Sequence, residues 1–271
     1  MNRHRRCKTF DIAYRRRLSA PNGRLIQAQL VQPQGEWLLL TIFEWLLRGL
    51  MGIGGAILVW IAWPVSKGAW QAQQADLVVT NLRLGYRTDL GDVRLAIEAL
   101  DRAIALDPTA TRHLQRSELF VAAALVPTFE PTPEQRVDWL KRAEADLEFG
   151  LGRDPGRGIQ WLRLAAVRLG LEGPSQRSVA PLLMSIDTSS MMQPLWPTRL
   201  QIILDNGQVL TPEQRDLVGA YVLRTWRLSS DRRWFVDAIR TPIDELFVRY
   251  FMRDEPGAQE QLTQLLSERK K

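Results

Sequence analysis

The chain has 271 residues, and 36 lysines and arginines against 30 aspartates and glutamates give it a formal net charge of +6. The basic excess lies in residues 1–66, which hold nine basic and three acidic residues, so residues 67–271 are neutral overall. The single cysteine, Cys7, excludes an intrachain disulfide, and with only two histidines the chain cannot form a typical cysteine–histidine zinc site. Residues 67–271 are numerous enough for an ordinary hydrophobic core.

Residues 1–36 form a basic tail ahead of the first apolar run. Basic residues beside a membrane span stay on the cytoplasmic side and attract anionic headgroups. We therefore expect a cytoplasmic tail that contacts membrane lipid, and we favour this over binding of nucleic acid, with which a basic tail is also compatible. The residues expected to set the topology and contact lipid are Arg5, Arg6, Arg15, Arg16 and Arg17.

Residues 37–66 are predicted to be a membrane segment. Residues 49–66 are 18 consecutive residues without a charge, and at ~1.5 Å per residue they nearly match the ~30 Å hydrocarbon core of a bilayer. We expect the span there, preceded by an interfacial helix, and because 48 residues precede it we favour an uncleaved anchor over a signal peptide. Indole rings settle at headgroup level, and five tryptophans flank the run: Trp37, Trp45, Trp60, Trp63 and Trp70.

Two features of this segment are candidates for contact with another membrane helix. Glu44 precedes Arg48 by four residues, which favours an intrahelical ion pair. At the interface such a pair simply reaches toward water, which is the favoured interpretation, whereas deeper in the membrane it would need a partner helix. Gly52 and Ala56 form a small-xxx-small step that would let a helix approach closely.

Residues 67–75 are predicted to be a linker, and residues 76–271 an exported all-α domain. Thr132, Thr211 and Thr241 each precede a proline and stand three residues before Gln or Asp, which predicts helix starts with capping boxes. Roughly nine to eleven helices are expected. After Thr241, one apolar helix face is predicted from the spacing of Ile243, Leu246, Phe247, Tyr250 and Phe251.

Within residues 76–170 a spacing of small, large, small and proline residues occurs twice. Its members are Ala96, Leu100, Ala103 and Pro108, and then Ala143, Leu147, Gly150 and Pro155. This spacing resembles the second helix and terminal proline of a tetratricopeptide (TPR) repeat, and Trp161 stands where the family's next first helix places its tryptophan.

The resemblance to the TPR family has two departures. Ala96 and Ala143 lie 47 residues apart, whereas the family repeats every 34 residues. The aromatic residue expected before Ala96 is displaced by one position, at Tyr86. A generic α-solenoid or helical bundle therefore stays open as the alternative, and residues 175–271 are expected to form irregular helix pairs. Trp161 is interpreted first as a packing residue and only second as part of a binding groove.

Candidate catalytic residues are scarce in the exported part. His113 is its single histidine and lies in ATRHLQRSE, without a nucleophile-elbow motif. Gly52, Gly54 and Gly55 lie within the predicted span, so they indicate helix packing and not phosphate binding. We expect no cofactor and no metal, and the remaining enzymatic option is a pair of carboxylates acting on a glycan.

The layout resembles single-span, N-in bacterial envelope proteins with TPR-like periplasmic domains, and residues 196–227 resemble accessory proteins of exopolysaccharide synthesis. The resemblance implies a non-catalytic scaffold in the inner membrane that binds a protein partner in an envelope complex, with polysaccharide synthesis or export as a pathway. The alternatives are an envelope glycan hydrolase or lyase, and a subunit whose span makes the functional contacts. The partner, the oligomeric state and the groove residues stay open at this stage.

Overall fold

The computed structural model describes residues 34–269, with side chains from residue 43 onward. The predictions for residues 1–33 of the basic tail, and for the side chain of Trp37, lie outside what is described. Within it, the chain forms helices and turns and no strand, which confirms the all-α prediction. The α-helices are α1 (Gln34–Arg83), α2 (Leu90–Leu106), α3 (Ala110–Leu125), α4 (Pro133–Arg153), α5 (Gly158–Glu172), α6 (Gln176–Ser189), α7 (Trp196–Asp205), α8 (Pro212–Leu228), α9 (Arg233–Ala238), α10 (Pro242–Phe251) and α11 (Ala258–Arg269).

Helix α1 is a single helix of 50 residues. The predicted interfacial helix, span and linker are all part of it, so residues 67–75 are helical and continue into the helical domain. The chain divides into two compact units inside α1, one ending at Gly55 and the other beginning at Ala56. The described part of the first unit is helical throughout, and every other helix belongs to the second unit.

The predicted helix starts are present. The Thr132 hydroxyl accepts a hydrogen bond from the Gln135 backbone N–H at 3.3 Å, while the Gln135 side chain accepts one from the Thr132 N–H at 3.2 Å. The same reciprocal capping box opens α8 at Thr211 and α10 at Thr241. These boxes satisfy backbone donors that a helix end leaves unpaired, so the start of each helix is determined by its own few residues.

Helices α2 to α6 pack as antiparallel neighbours in chain order. His113 and Phe120 of α3 lie beside Asp146 and Arg142 of α4, so the two helices run in opposite directions. Helices α5 and α6 repeat this arrangement, because Gly158 at the start of α5 meets Ser185 near the end of α6. Glycine allows close approach at such crossings, since a Cβ built on Gly150 would collide with Leu114.

The second unit has two hydrophobic cores. The first joins residues 72–79 of α1 to α2, α3, α4 and one face of α5, and the second joins the other face of α5 to α6–α11. The small and large residues of the TPR-like spacing lie in the first core, and they are Ala96, Leu100, Ala103, Ala143, Leu147 and Gly150. Pro108 and Pro155 follow the ends of α2 and α4.

The predicted apolar face of α10 is wrong in part. Val248 and Phe251 are buried and Phe247 is half-buried, whereas Ile243, Leu246 and Tyr250 are exposed. The helix packs on α7 and α8 with a face rotated from the one that the spacing indicated. The reason is that a ten-residue helix with apolar residues on most sides can be buried on more than one face.

Candidate functional site

The first candidate surface is the apolar part of α1. Among the described residues, α1 is the one helix long and apolar enough to cross a membrane. Its large side chains are exposed, and Trp60 is 82% accessible. An apolar surface this extensive is unusual in contact with water and marks a site for lipid or another protein. The predicted flanking tryptophans whose side chains are described are all exposed: Trp45, Trp60, Trp63 and Trp70.

The candidates for helix–helix contact lie on this surface. The Arg48 guanidinium lies 3.7 Å from the Glu44 carboxylate, four residues earlier on the same helix, and both side chains are largely exposed. A Cβ built on Gly52 would meet nothing within 4 Å, and Ala56 is exposed. The small residues at positions 52 and 56 therefore leave room for an approaching helix.

Helix α1 changes from exposed to packed at Gly68. A Cβ at this position would lie 3.0 Å from the Arg112 guanidinium and 3.3 Å from the carbonyl oxygen of Ala103. The same guanidinium donates hydrogen bonds to the Ala103 carbonyl at 3.3 Å and to the Asp107 carboxylate at 2.8 Å. Arg112 thus holds the end of α2 and the start of α3 close to α1, and a Cβ at position 68 would require Arg112 or the Ala103 backbone to shift by a few tenths of an ångström.

A buried polar cluster joins α2, α3 and α4. His113 Nδ1 lies 2.6 Å from Asp146 Oδ1, and the His113 ring stacks on Phe149 with centroids 3.9 Å apart. Arg116 donates to both oxygens of the Asp146 carboxylate, at 2.7 and 2.6 Å, and also reaches Asp101 on α2. The hydrogen bonds with Asp146 raise the pKa of Arg116 above its ordinary value. The cluster holds three helices together, because Arg116 of α3 pairs with Asp146 of α4 and with Asp101 of α2.

A second buried carboxylate, Glu118 of α3, joins α1 to α5. Arg83 of α1 donates to its two oxygens at 3.0 and 2.8 Å, and Arg163 of α5 donates at 2.9 Å from the other side. Glu118 is only 7% exposed, and its hydrogen bond is the main cause that raises the pKa of Arg83. The odd-numbered helices α1, α3 and α5 are therefore linked to each other as well as to their chain neighbours.

The second candidate surface, which we name the distal groove, lies at the end of α1 farthest from its apolar part. Its cavity is about 730 Å³, and its lining combines two aromatic residues with charged ones. Gly85 turns the chain here with a φ of +73°, a conformation that glycine adopts without strain. The lining residues are Leu82, Gly85, Tyr86, Arg87, Thr88, Asp89, Asp92, Val126, Thr128 and Phe129.

The two aromatic residues of the TPR-like interpretation lie in different environments. Tyr86 follows the end of α1 and lies in the distal groove, where it is exposed and not packed in a helix. Trp161 is half-buried against the first core, and its indole N–H donates to the Pro155 carbonyl at 2.7 Å. This hydrogen bond therefore links α5 to the turn between α4 and α5.

Sequence reasoning did not identify Gly68, Arg112, Glu118 or the distal groove. The partners of Glu118 lie 35 and 45 residues away in the chain, so no local pattern indicates them. Comparisons with protein-family models, curated proteins and solved structures find no match to this chain.

Proposed function

We propose that this protein is a single-span membrane protein whose helical domain binds a protein partner at the distal groove. The observation that carries the proposal is the continuity of α1. Its exposed apolar residues, suited to lipid, lead without a break into residues 68–83, which pack in the first core. A helix shared between anchor and domain fixes the domain close to the membrane and presents its far end away from it.

The arrangement of α1–α6 supports a TPR-like domain as the finer proposal. Helix α1 approaches α2 at Gly68 and Ala103, and α2 to α6 each pack on the next helix, which makes three successive pairs, α1/α2, α3/α4 and α5/α6. Helices α1, α3 and α5 are also linked through Glu118. In helical-repeat proteins, stacked pairs of this kind bury one continuous core and leave extended surfaces for a partner. The buried small residues Ala96, Ala103 and Gly150 allow the close helix approach that such stacking needs.

The distal groove suits a protein segment with an apolar side chain beside a basic one. Tyr86 is exposed and Phe129 half-buried, so the groove offers aromatic surface to an apolar side chain. Asp89 and Asp92 flank this surface and leave the lining with one more acidic than basic residue. Aromatic anchors with a charged rim are typical of protein–protein contacts.

The location belongs to the same proposal. The basic excess of residues 1–66 supports a cytoplasmic N-terminus and, with it, a periplasmic helical domain in a bacterial inner membrane. The resemblance of residues 196–227 makes polysaccharide synthesis or export the first pathway to examine.

A site-specific photocrosslinker in native membranes tests the partner contact. We expect a crosslinker at Tyr86 to give one reproducible adduct with another protein, identified by mass spectrometry. Tyr250, an exposed tyrosine on α10, is the matched control position and should not give that adduct. The substitution F129E in the groove should abolish the adduct. An adduct that is equally strong from Tyr250, or that survives F129E, would exclude the distal groove as the binding site.

A further inference from the structure

Helices α1–α6 form a stack, and one end of it lies nearest the apolar part of α1. That end is formed by turns between consecutive helices, which we call corners. Gly68, the first packed residue of α1, lies two residues after the uncharged run and contacts Ala103 and Arg112. At ~1.5 Å rise per residue, the corner between α2 and α3 therefore lies within about one helical turn of the end of the apolar run.

The corners α4–α5 and α6–α7 lie at the same end. A Cβ on Gly150, near the end of α4, would collide with Leu114, near the start of α3. A Cβ on Gly158, at the start of α5, would collide with Ser189, at the end of α6. Because neighbouring helices alternate in direction, these corners share one end of the stack, which we name the proximal end. Its segments are residues 67–68, 107–112, 153–159 and 189–196.

The two ends of the stack differ in charge. The proximal end carries four basic and two acidic residues. The opposite end carries three basic and five acidic residues, in segments 84–92, 126–136 and 172–177. The basic residues of the proximal end are Lys67, Arg112, Arg153 and Arg157, and all but Arg112 are exposed.

The proximal end also exposes large apolar side chains. Met191 and Met192, in the corner before α7, are 58% and 45% accessible, and Ile159 at the start of α5 is also exposed. The Arg153 guanidinium lies over the Phe149 ring at 3.6 Å from its centroid, so its charge is held at this end. Apolar side chains next to arginines are the combination that binds the boundary between headgroups and acyl chains.

We propose that the proximal end lies on the membrane, with Met191 and Met192 inserted at the headgroup boundary and Arg153 and Arg157 beside anionic lipid phosphates. The occupant of this surface is lipid because α1 leaves the stack here as an exposed apolar helix, so the surface is continuous with the span. The proposal rests on the proposed membrane span. It adds a second contact that fixes the tilt of the domain and directs the distal groove away from the bilayer.

Fluorescence quenching in proteoliposomes tests this contact on the full-length chain. In a C7S background, single cysteines replace Trp60 in the span, Met192 at the proximal end and Thr128 at the opposite end, each labelled with a polarity-sensitive dye. The vesicles contain phosphatidylcholine and phosphatidylglycerol with brominated acyl chains. We expect at least twofold quenching at positions 60 and 192 and none at position 128.

Each result at these three positions decides a separate point. Quenching at 60 without quenching at 192 overturns the proposal and leaves the membrane span intact. No quenching at 60 overturns the span and the lipid contact together. Equal quenching at 192 and 128 also overturns the proposal, because the stack would then not be oriented by its proximal end.

Charge reversal separates lipid from a protein occupant. We expect R153E with R157E to reduce quenching at position 192 at least twofold in vesicles that contain phosphatidylglycerol. The matched control, R87E with R136E, makes the same charge change at the opposite end and should leave the quenching unchanged. Quenching that is indifferent to R153E and R157E would overturn the headgroup contact. Quenching at 192 that requires another protein from native membranes would replace lipid by a protein occupant.

Discussion

Glu118 of α3 pairs with two arginines: Arg83 of α1, 35 residues before it in the chain, and Arg163 of α5, 45 residues after it. A nearly buried carboxylate is costly to desolvate and becomes favourable only when hydrogen-bonded donors surround it. Here Arg83 and Arg163 supply those donors, so this one side chain links α1, α3 and α5.

Replacing this carboxylate tests its contribution. We expect E118Q to lower the free energy of unfolding by about 2 kcal/mol, because Arg83 and Arg163 lose their charged partner. The partial exposure of Arg83 to solvent limits the size of this loss. Urea unfolding of the full chain in detergent, followed by circular dichroism, measures this change. E98Q is the control, since Glu98 forms only an exposed pair with Arg102 at 4.0 Å, and it should cost below ~0.5 kcal/mol. Equal effects of E118Q and E98Q would contradict the role assigned to Glu118.

At the scale of elements, α1 has two different environments along its length. From Ala56 to Lys67 its large apolar side chains are exposed, and from Gly68 onward Ala72, Ala75 and Val79 are buried in the first core. The change occurs where Arg112 crosses the helix, so the close approach at Gly68 marks where the exposed part of α1 ends and its packed part begins.

A side chain at Gly68 should weaken this approach. We expect G68V to destabilise the packing of residues 68–83 by about 1–3 kcal/mol, because the Ala103 carbonyl is backbone and cannot move aside easily. Hydrogen exchange of those backbone amides in detergent micelles measures the change. G152V is the matched control, since a Cβ at Gly152 would meet nothing within 4 Å. Undiminished protection of residues 68–83 in G68V would show that α1 does not depend on this contact.

An ion pair between α8 and the turn before α11 makes the stability of the fold depend on pH. Arg227 at the end of α8 donates to the Glu255 carboxylate in the turn before α11, and these hydrogen bonds lower the pKa of Glu255. A carboxylate with a lowered folded-state pKa stabilises the fold above its unfolded pKa, and this contribution is lost as the pH falls through the folded value.

We therefore expect R227Q to be less stable than the natural chain at neutral pH. The difference should shrink as the pH falls below about 4.3, the ordinary glutamate value, and disappear once Glu255 is protonated in both states. Thermal unfolding from pH 7 to pH 3 measures it, and R224Q, an exposed change on the same helix, is the control. A difference that persists unchanged at pH 3 would exclude protonation of Glu255 as its cause.

At the scale of the whole molecule, the membrane proposal predicts where charges are tolerated along α1. Leu58 and Leu77 are 69% and 67% exposed on the same helix, but only Leu58 lies in the uncharged run. An arginine in the middle of a span costs about 2.5–3.5 kcal/mol. We expect L58R combined with I61R to release the protein from membranes at alkaline pH, and L77R to leave it in the membrane fraction.

Fractionation of cell membranes after carbonate washing, with detection of the full-length chain, gives the answer. Retention of the double variant in the membrane would mean that residues 49–66 do not anchor the protein. Release of L77R as well would mean that the exposed surface of α1 beyond the predicted span also contributes to membrane attachment.

The features predicted correctly from the sequence are local ones. The capping boxes at Thr132, Thr211 and Thr241 involve residues three positions apart, and the apolar character of α1 is set by consecutive side chains. Helix starts and a long apolar helix are therefore readable without the fold. The exposed Ile243 and Leu246 show the limit of the method, because the spacing of apolar residues does not say which side of α10 finds a neighbour.

By itself, the sequence determined that the described chain is all-α and that it contains one helix able to cross a membrane. Tertiary structure decided that this helix continues into the domain, that Gly68 marks the transition, and that Glu118 collects partners from two other helices. It also brought Tyr86 and Phe129 into one groove, although they are 43 residues apart. The physical reason is that caps and apolar runs depend on neighbours in the chain, whereas ion pairs, close crossings and grooves depend on which helices meet in space.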